Sequence, residues 1–578
     1  MIKELSVKKQ SGTYAEALEA LGLAELLFQV LIQNNQNLRV IIKNSENEYK
    51  IISPVTITNE MIENTNYFQL FKYIKKDGTT TVPETISDYY DYQRQRTWKN
   101  EKRDRINLVN KDFKGKEHET ERNKKLAEIE KFYEETNRID TELDVITQLA
   151  GANQYASFTK LYFNFYNNCD KFSGLLKEIL YIYSEPTYKT KIDYKNLTDF
   201  NKDITCLQLF NPNQGKGLNK DKANGLNATN FKNSWVTESL KVTGALHSML
   251  CQLVKVGTGY DMKIFVPEYN EILYDKQRKL VQKFKKYIKA NTPIKIDILN
   301  ILLFTKTFIE LTPEFRGNIK NTLNGFYSVY QKDLGQNKAV VNIAHIQTPD
   351  FININSEDDA GDWVNVLNYL ITLISRIDEQ GDAIQGLLSF RNFLSSSNLE
   401  SFFRFCRWYS VYFSQALAHE TYYKLPISPN FLNKLFKLME TENIKLTEII
   451  ENEGFKSIAK AIRKSTVSLQ YTPKEQRKFE IRYGLAQEIQ NKSKSKTDLA
   501  TLIGEFVGAY NAETARVKEK TGEGFRATVK EEEILKFIEL LDKYPSRLVG
   551  SLLSAYGFAL EKKDALTKEG VSEPKDEE

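Results

Sequence analysis

From about residue 360 onward, the chain is a succession of amphipathic segments in which apolar residues recur with the period of an α-helix. This feature constrains the fold most, because helices that each carry one apolar stripe must pack those stripes together. The segments are "DWVNVLNYLITLISRI", "SNLESFFRFCRWYSVYFSQAL", "PNFLNKLFKLMETENIKLTEIIEN", "PKEQRKFEIRYGLAQEIQ", "KTDLATLIGEFVGAYNAETARV" and "KEEEILKFIELLDKY". Short linkers with Pro, Gly or Ser separate them, and this arrangement predicts a helical bundle.

The earlier part of the chain mixes helical and strand patterns. Residues 13–33 have apolar side chains at helical spacing and predict a buried helix, whereas residues 37–58 hold two β-branched runs around "NSEN" and predict a hairpin. Residues 88–145 are highly charged and predict exposed helix. The middle, roughly 146–355, contains strand-like runs such as "MKIFVPEY" and "AVVNIAHI". The predicted fold class is therefore α+β and predominantly helical.

The same patterns suggest three divisions of the chain. We predict a mixed α/β body over residues 1–384, with short strands, and a C-terminal helical bundle over residues 385–562. The last residues, 563–578, include "KEGVSEPKDEE" and lack the apolar side chains that packing requires, so we expect a disordered tail.

Composition limits the classes of function. With 578 residues, 41% hydrophobic residues and a mean hydropathy of -0.48, the chain is typical of a soluble globular protein. Lys and Arg outnumber Asp and Glu by only 81 to 76, so any site for a polyanion must be a local cluster. The N-terminus lacks the order of a signal peptide and no apolar run approaches the length of a membrane span. We expect a cytoplasmic protein.

Patterns for metal binding and catalysis are missing from the sequence. Its four cysteines form no CxxC pair, which excludes a zinc ribbon within the chain. None of its four histidines belongs to an HExxH motif or an HD pair, and no GxSxG elbow occurs. Cys406 falls on an apolar helical stripe, where a core thiol is expected. We therefore expect no catalytic residue, no metal site and no cofactor.

The least ordinary stretch is "FNPNQGKGLNKDKANGLNATNFKNSW", residues 210–235, which holds seven Asn, four Lys and three Gly but a single acid. It is not a Walker loop, because Lys216 is followed by Gly217 and not by Ser or Thr. Gly residues permit close backbone approach, Lys side chains neutralise phosphates, and Asn and Gln contact grooves or fix register. The alternative is an exposed loop with no ligand, and the residues alone leave both interpretations open.

A second basic cluster lies between residues 456 and 496, where eleven Lys or Arg accompany three acids. Its centre consists of Arg463, Lys464, Lys474, Arg477, Lys478 and Arg482. A helix beginning near Pro473 would place Lys474, Lys478 and Arg482 on one face. Such a ridge suits a nucleic-acid strand, and the alternative is a solvated face.

A third candidate is "YYDYQRQRTWKNEKRDR", residues 89–105, in which Tyr, Trp and Arg are interleaved. This mixture suits stacking and phosphate contact. Because acids are mixed in as well, a solvated helical arm is an equal alternative.

Several of these segments resemble the large subunit of type I CRISPR Cascade complexes, closest to the type I-B or Myxococcus-like branch. The resemblance rests on "NPNQGKGLNKDKANG" followed by "WVTESLKVTGAL", and on "FEIRYGLAQEIQ", "EFVGAYNAETARVKEKTG" and "LVGSLLSAYGFAL". It covers mainly residues 205–250 and 385–560, and the order of the two blocks carries more weight than any single motif. Related branches contain CxxC pairs, which are missing here, so the subtype and any zinc stay open.

The resemblance implies a non-catalytic subunit that recognises the protospacer-adjacent motif in duplex DNA, aids R-loop formation and recruits a helicase–nuclease. Implied partners are guide RNA, target duplex DNA, the displaced single strand, and the backbone and guide-end-capping subunits. Residues 211–233 would form the DNA-facing loop, with phosphate contacts from Lys216, Lys220, Lys222 and Lys232. Groove contacts would come from Asn213, Gln214, Asn224, Asn227 and Asn230. The cluster of Arg463, Lys464, Lys474, Arg477, Lys478 and Arg482 would follow the displaced strand or the heteroduplex backbone.

Three other interpretations stay open. A transposon-linked complex would use the same chain and recruit a transposition protein, and a nucleotide hydrolase would use the Gly/Lys loop. A structural helical protein would leave both basic clusters solvated. The resemblance also suggests that Met439, one of five Met, is an internal start that yields a separate small subunit from the C-terminal bundle.

Overall fold

The protein is described here by a computed structural model that covers residues 2–65, 70–114, 118–167, 171–184, 203–213, 232–288, 291–334, 338–418, 424–440, 446–472, 474–524 and 526–560. Its fold is α+β and predominantly helical, as predicted, with a C-terminal helical region. Packing divides the chain into two compact units. Unit 1 comprises Met1–Pro293 and Lys320–Gln347, and unit 2 comprises Ile294–Ile319 and Thr348–Glu578.

The strands are β1 (Ile2–Lys8), β2 (Ile41–Asn44), β3 (Glu48–Ile57), β4 (Tyr73–Lys75), β5 (Tyr89–Asp91), β6 (Asp203–Thr205), β7 (Lys232–Ser234), β8 (Leu250–Val256), β9 (Gly259–Tyr269), β10 (Glu271–Leu273), β11 (Gly317–Asn318), β12 (Leu323–Asp333), β13 (Lys338–Gln347) and β14 (Asn353–Ile354). The first helices are α1 (Ala15–Gln33), α2 (Asn59–Glu63), α3 (Tyr92–Asp112), α4 (Glu119–Glu135), α5 (Leu143–Leu149), α6 (Ala152–Tyr166), α7 (Phe172–Ser184), α8 (Trp235–Ser248), α9 (Tyr274–Lys285) and α10 (Pro293–Leu311). The remaining helices are α11 (Glu357–Ser375), α12 (Ala383–Ser396), α13 (Leu399–Ala418), α14 (Pro429–Leu438), α15 (Leu446–Glu451), α16 (Glu453–Ser465), α17 (Val467–Tyr471), α18 (Leu485–Lys492), α19 (Lys496–Thr521), α20 (Glu531–Lys543) and α21 (Ser546–Gly557).

Unit 1 contains two antiparallel four-stranded sheets, ordered β1-β3-β2-β10 and β13-β12-β9-β8. The predicted hairpin is confirmed, since β2 and β3 pair with Ile41 opposite Ile52. The strands predicted from "MKIFVPEY" and "AVVNIAHI" are β9 and β13, each of which pairs with β12. Apolar side chains alternate with polar ones along β1 and β3, so that one face of the first sheet is buried.

The core of unit 1 is built around a close crossing of α1 and α8. A Cβ atom on Gly22 would overlap the carbonyl oxygen of Leu240, and one on Gly244 would overlap that of Leu18. The two backbones touch because each helix has a glycine at the crossing. The buried helix predicted over residues 13–33 is thus confirmed, with most of α1 inaccessible to solvent.

The charged region over residues 88–145 forms the expected exposed helices. Helices α3 and α4 pack on each other as a hairpin, which we call the arm. No residue of α3 is buried, although the structure describes this helix in full, and α4 buries Tyr133. The short helix α5, which follows the arm, is mostly buried.

Unit 2 begins with α10 and continues through α11–α21, and its core is rich in aromatic rings. The Phe390 ring lies 4.7 Å from that of Phe405, and the Phe393 ring lies 4.8 Å from that of Phe402. Helix α12 approaches α13 closely because Gly386 leaves room for the Trp408 ring. Most of the helices predicted from the periodicity after residue 360 are therefore confirmed.

One helix prediction in this region is wrong. Residues Lys474–Gln476 form a single 3-10 turn, residues 477–484 are not helical, and α18 begins at Leu485. Phe479 and Ile481 are half-buried and alternate with exposed charged residues, a period of two that favours an extended backbone. The backbone N–H of Arg482 donates to Ser465 O at 3.1 Å, which ties this segment to the end of α16.

The predicted boundary after residue 384 rests on the change from mixed to helical patterns in the sequence, and it stays a prediction. Met439 is the residue that follows α14, and it is 7% exposed. The disordered tail predicted over residues 563–578 lies outside the described residues. No helix among those described combines the length and the apolar character needed to span a bilayer.

Candidate nucleic-acid interface

The residues on either side of the Lys- and Asn-rich segment form a two-stranded base in unit 1. Strands β6 and β7 pair antiparallel, with Ile204 opposite Asn233 and Thr205 opposite Lys232. Of the proposed loop over residues 211–233, the structure describes 211–213 and the backbone from 232 onward. The candidates Gln214, Lys216, Lys220, Lys222, Asn224, Asn227 and Asn230 lie outside the described residues. Lys232 is placed by its backbone alone.

A single buried carboxylate holds both sides of this base. The side chain of Glu238, on the first turn of α8, accepts hydrogen bonds from Asn211 Nδ2 at 3.2 and 2.9 Å and from Asn233 Nδ2 at 3.1 Å. It also accepts one from the backbone N–H of Leu207 at 3.2 Å. Glu238 is fully buried, so these donors replace the water that its charge would otherwise need.

Lys241 supplies the countercharge for this carboxylate. Its Nζ donates to Asn211 Oδ1 at 2.7 Å and lies 3.4 Å from Glu238 Oε1. Burial lowers the pKa of Lys241, but attraction to Glu238 and Glu19 outweighs burial, and the pKa is raised overall. Lys241 is therefore charged at neutral pH. We call Asn211, Asn233, Glu238 and Lys241 the loop clamp.

Asn213 is the one predicted groove-reading residue whose side chain the structure describes. Its Nδ2 donates to Ser11 O at 3.4 Å, and its Oδ1 is buried without a partner among the described residues. The side chain is half-buried. Asn213 thus contacts the N-terminal segment of its own chain, and in this position its amide nitrogen holds the loop to the body.

The six residues of the second basic cluster do not form one ridge. Arg463 is 5% exposed, and its Nη2 donates to Tyr556 O at 2.9 Å. Arg477 is half-buried and donates from Nε to Thr472 O at 2.9 Å. Because the helix expected from Pro473 is not formed, Lys474, Lys478 and Arg482 do not share a helical face.

The other members of the cluster differ in exposure. Lys464 is half-buried, Lys478 is exposed, and Lys474 is placed by its backbone alone. Arg482 pairs with Glu513 at 2.8 Å and lines a cavity of about 240 Å³ in unit 2. Other walls of the cavity come from Val411, Gln470, Tyr483 and Phe558. The cluster is basic in sequence, but Arg463, Arg477 and Arg482 form hydrogen bonds or ion pairs inside unit 2.

The histidines and cysteines that the structure describes take part in packing and internal pairs. His345 Nε2 lies 3.0 Å from Glu268 Oε2, and burial, Arg278 and Lys285 lower the pKa of His247 to about 3. Burial raises the pKa of the Cys406 thiol. In the described part of the chain, no three His, Cys, Asp or Glu side chains are grouped so that they hold a metal ion.

Sequence reasoning missed the loop clamp. Its signal was present in "WVTESLKVTGAL", where Glu238 and Lys241 interrupt an otherwise apolar and small-residue helix at a spacing of three. Charged residues within a buried helical pattern require partners, and the preceding segment is rich in Asn side chains that can donate to a carboxylate. That these Asn side chains meet Glu238 and Lys241 in space is visible only in the folded structure.

Comparison with known proteins adds no identification. No protein-family model matches the chain, and no curated protein matches it.

Proposed function

We propose that this chain is the non-catalytic large subunit of a type I CRISPR surveillance complex. In this role it recognises the protospacer-adjacent motif in duplex DNA, aids R-loop formation and recruits a helicase–nuclease or, in a transposon-linked complex, a transposition protein. Guide RNA pairs with the target strand and supplies the sequence specificity. The proposal assigns the DNA-facing role to residues 211–233.

The observation that supports this proposal most is the loop clamp. Asn211 and Asn233 lie on the two sides of segment 214–231 and share the Glu238 carboxylate. A loop that binds DNA must have its ends fixed on a rigid element, because a mobile base would add an ordering cost to binding. The segment between them contains Lys216, Lys220 and Lys222, with Gly residues that permit close backbone approach.

The first experiment is to express the tagged chain together with the genes that flank its own and to sequence the RNA that copurifies. Uniform short RNAs with repeat-derived ends are expected. Recovery of no RNA, or of heterogeneous fragments that moderate salt removes, would leave a general polyanion binder and contradict the proposed complex.

A second experiment tests the loop within the purified complex. The variant with Lys216→Gln, Lys220→Gln and Lys222→Gln should bind target duplex more weakly, with a shallower salt dependence. If all three lysines contact phosphates, the slope of log K against log salt should change by about 2.7. The matched control replaces Lys518, Lys520 and Lys530, three exposed lysines of unit 2, by Gln. Equal losses in both variants would exclude a specific role for the loop.

The proposed internal start is tested on the same material. We propose that Met439 initiates a small subunit made of the C-terminal helices. Intact mass measurement of the native complex should then show a second species of about 140 residues. Changing the Met439 codon to one for Leu (Met439→Leu) should abolish this species. Absence of that species in the unmodified complex would remove the proposal.

A further inference from the structure

One face of α3 carries exposed cations and amides without an acid. Viewed along the helix from Arg96 to Lys111, seven exposed side chains fall within a sector of about 120°. They are Arg96, Lys99, Asn100, Arg103, Asn107, Asn110 and Lys111. The three acids of α3, Glu101, Asp104 and Asp112, lie outside this sector. We call these seven residues the α3 stripe; with a rise of about 1.5 Å per residue it extends over about 22 Å.

The α3 stripe is turned away from the rest of the arm. Trp98, Lys102, Ile106 and Val109 are half-buried and recur at intervals of three and four, on the side where α3 packs against α4. The stripe lies on a different side of the helix. It is therefore accessible along its whole length within the described structure.

Its cations are little neutralised by the protein itself. In the described residues, Arg96, Lys99 and Lys111 form no ion pair with a carboxylate. Arg103 Nε lies 3.7 Å from Asp104 Oδ1, but both side chains are 67% exposed, and such pairs contribute little. The facing helix differs, since α4 holds six acids and four basic residues. The α3 stripe therefore carries four cations and no acid, whereas α4 carries more acids than basic residues.

Aromatic rings of the arm are covered by cations of the arm and of the residues that follow it. Arg94 Cζ lies 4.5 Å from the centre of the Trp98 ring, and Arg138 Cζ lies 5.1 Å from that of Phe132. Arg105 Cζ lies 5.3 Å from the Phe132 ring and 5.8 Å from the Tyr133 ring. These rings are not free to stack on unpaired bases, which is the usual way in which proteins hold single strands. The stripe offers charges and amide donors alone.

We propose that the α3 stripe binds the sugar–phosphate backbone of duplex DNA without reading its sequence. Its Arg and Lys side chains neutralise phosphates, and Asn amides between them donate to phosphate oxygens. A duplex presents phosphates with its bases stacked inside, which matches a surface of charges and donors whose neighbouring ring, that of half-buried Tyr92, lies against Arg96 at 5.5 Å. This surface consists of other residues than those proposed over 211–233, and its binding does not depend on membership of a guide complex.

The experiment uses the full chain and measures fluorescence anisotropy of a labelled DNA duplex between about 50 and 200 mM salt. The test variant carries Lys99→Gln and Lys111→Gln. The matched control carries Lys124→Gln and Lys131→Gln, which remove the same charge from two exposed lysines on α4. Loss of two phosphate contacts should reduce the slope of log K against log salt by about 1.8 in the test variant. The control should keep the slope of the unmodified chain.

Three results would overturn the proposal. The first is an equal change of slope in the test and control variants, which would indicate a general charge effect. The second is an unchanged slope in the test variant. The third is tighter binding of the matching single strand, or of an RNA hairpin, than of duplex DNA. Both variants should unfold at the temperature of the unmodified chain, because all four lysines are exposed.

Discussion

Asn211 and Asn233 donate hydrogen bonds to the same carboxylate, that of Glu238, at distances of 2.9 and 3.1 Å. They come from opposite sides of the Lys- and Asn-rich segment. One buried acid therefore holds together the residues that precede and follow this segment. The antiparallel pairing of β6 with β7 supports the same geometry.

Replacing Glu238 by Ala should reduce the free energy of unfolding by ~3–5 kcal/mol, because Lys241 would remain buried without the carboxylate nearest to it. Urea denaturation of the purified chain measures this loss. The control is the double variant Glu238→Ala with Lys241→Met, in which no unpaired charge is left. Its loss should be smaller than the sum of the two single losses; a loss equal to the sum would show that the two residues act independently.

The crossing of α1 and α8 should tolerate no side chain at its glycines. Gly22→Ala places a methyl group against the carbonyl oxygen of Leu240, so the helices must separate, at a cost of about 3 kcal/mol or more. Thermal unfolding compares this variant with Gly504→Ala on α19, where the added Cβ meets no atom within 4 Å. The control should gain about 0.5–1 kcal/mol from helix propensity. Equal destabilisation of both variants would contradict the close crossing.

Much of the fold was predictable from periodicity because its elements bury one face each. The helix over residues 13–33 and the hairpin over residues 37–58 have long, regular patterns, and both are confirmed. The prediction of a helix after Pro473 was wrong because it relied on a repeat of charges every four residues. The half-buried Phe479 and Ile481 carry the stronger signal, an alternation that favours extended backbone.

The candidate sites were less predictable than the fold. Composition located the basic residues, but burial of an individual Arg depends on contacts that are distant in sequence. Arg463 reaches the carbonyl oxygen of Tyr556, and Arg482 reaches Glu513, and neither partner is visible in a local charge pattern. The loop clamp likewise depends on α8 meeting both sides of the loop base.

Arg463 and Lys478 provide a direct comparison within the second basic cluster. Arg463→Ala should reduce the free energy of unfolding by about 1–3 kcal/mol, because it removes a buried hydrogen-bond donor from Tyr556 O and its packing. Lys478→Ala should change it by less than about 0.5 kcal/mol, since this side chain is exposed. Chemical denaturation measures both. A stable Arg463→Ala variant with weakened DNA binding would instead favour the ridge that the sequence suggested.

Glu142 should make the stability of unit 1 depend on pH. Burial, with Asp140 nearby, raises the pKa of this carboxyl from 4.5 to about 7. Between these values the unfolded chain has released a proton that the folded protein retains, so the free energy of unfolding falls as pH rises. Glu142→Gln removes this effect and keeps an acceptor for the Tyr90 hydroxyl. Relative to the unmodified chain, the variant should gain about 3 kcal/mol as pH rises through this window.

The comparison must be made as a difference between the two proteins, because His247 acts in the opposite direction. Its pKa is lowered from 6.5 to about 3, so its contribution to the free energy of unfolding rises with pH over that range. Because His247 Nδ1 lies 3.3 Å from Glu142 Oε1, the Glu142→Gln substitution changes this contribution, so both chains are compared in a His247→Gln background. Urea denaturation from about pH 4 to about pH 8 gives the two curves. Parallel curves across this range would show that the folded protein holds no proton on Glu142 near neutral pH.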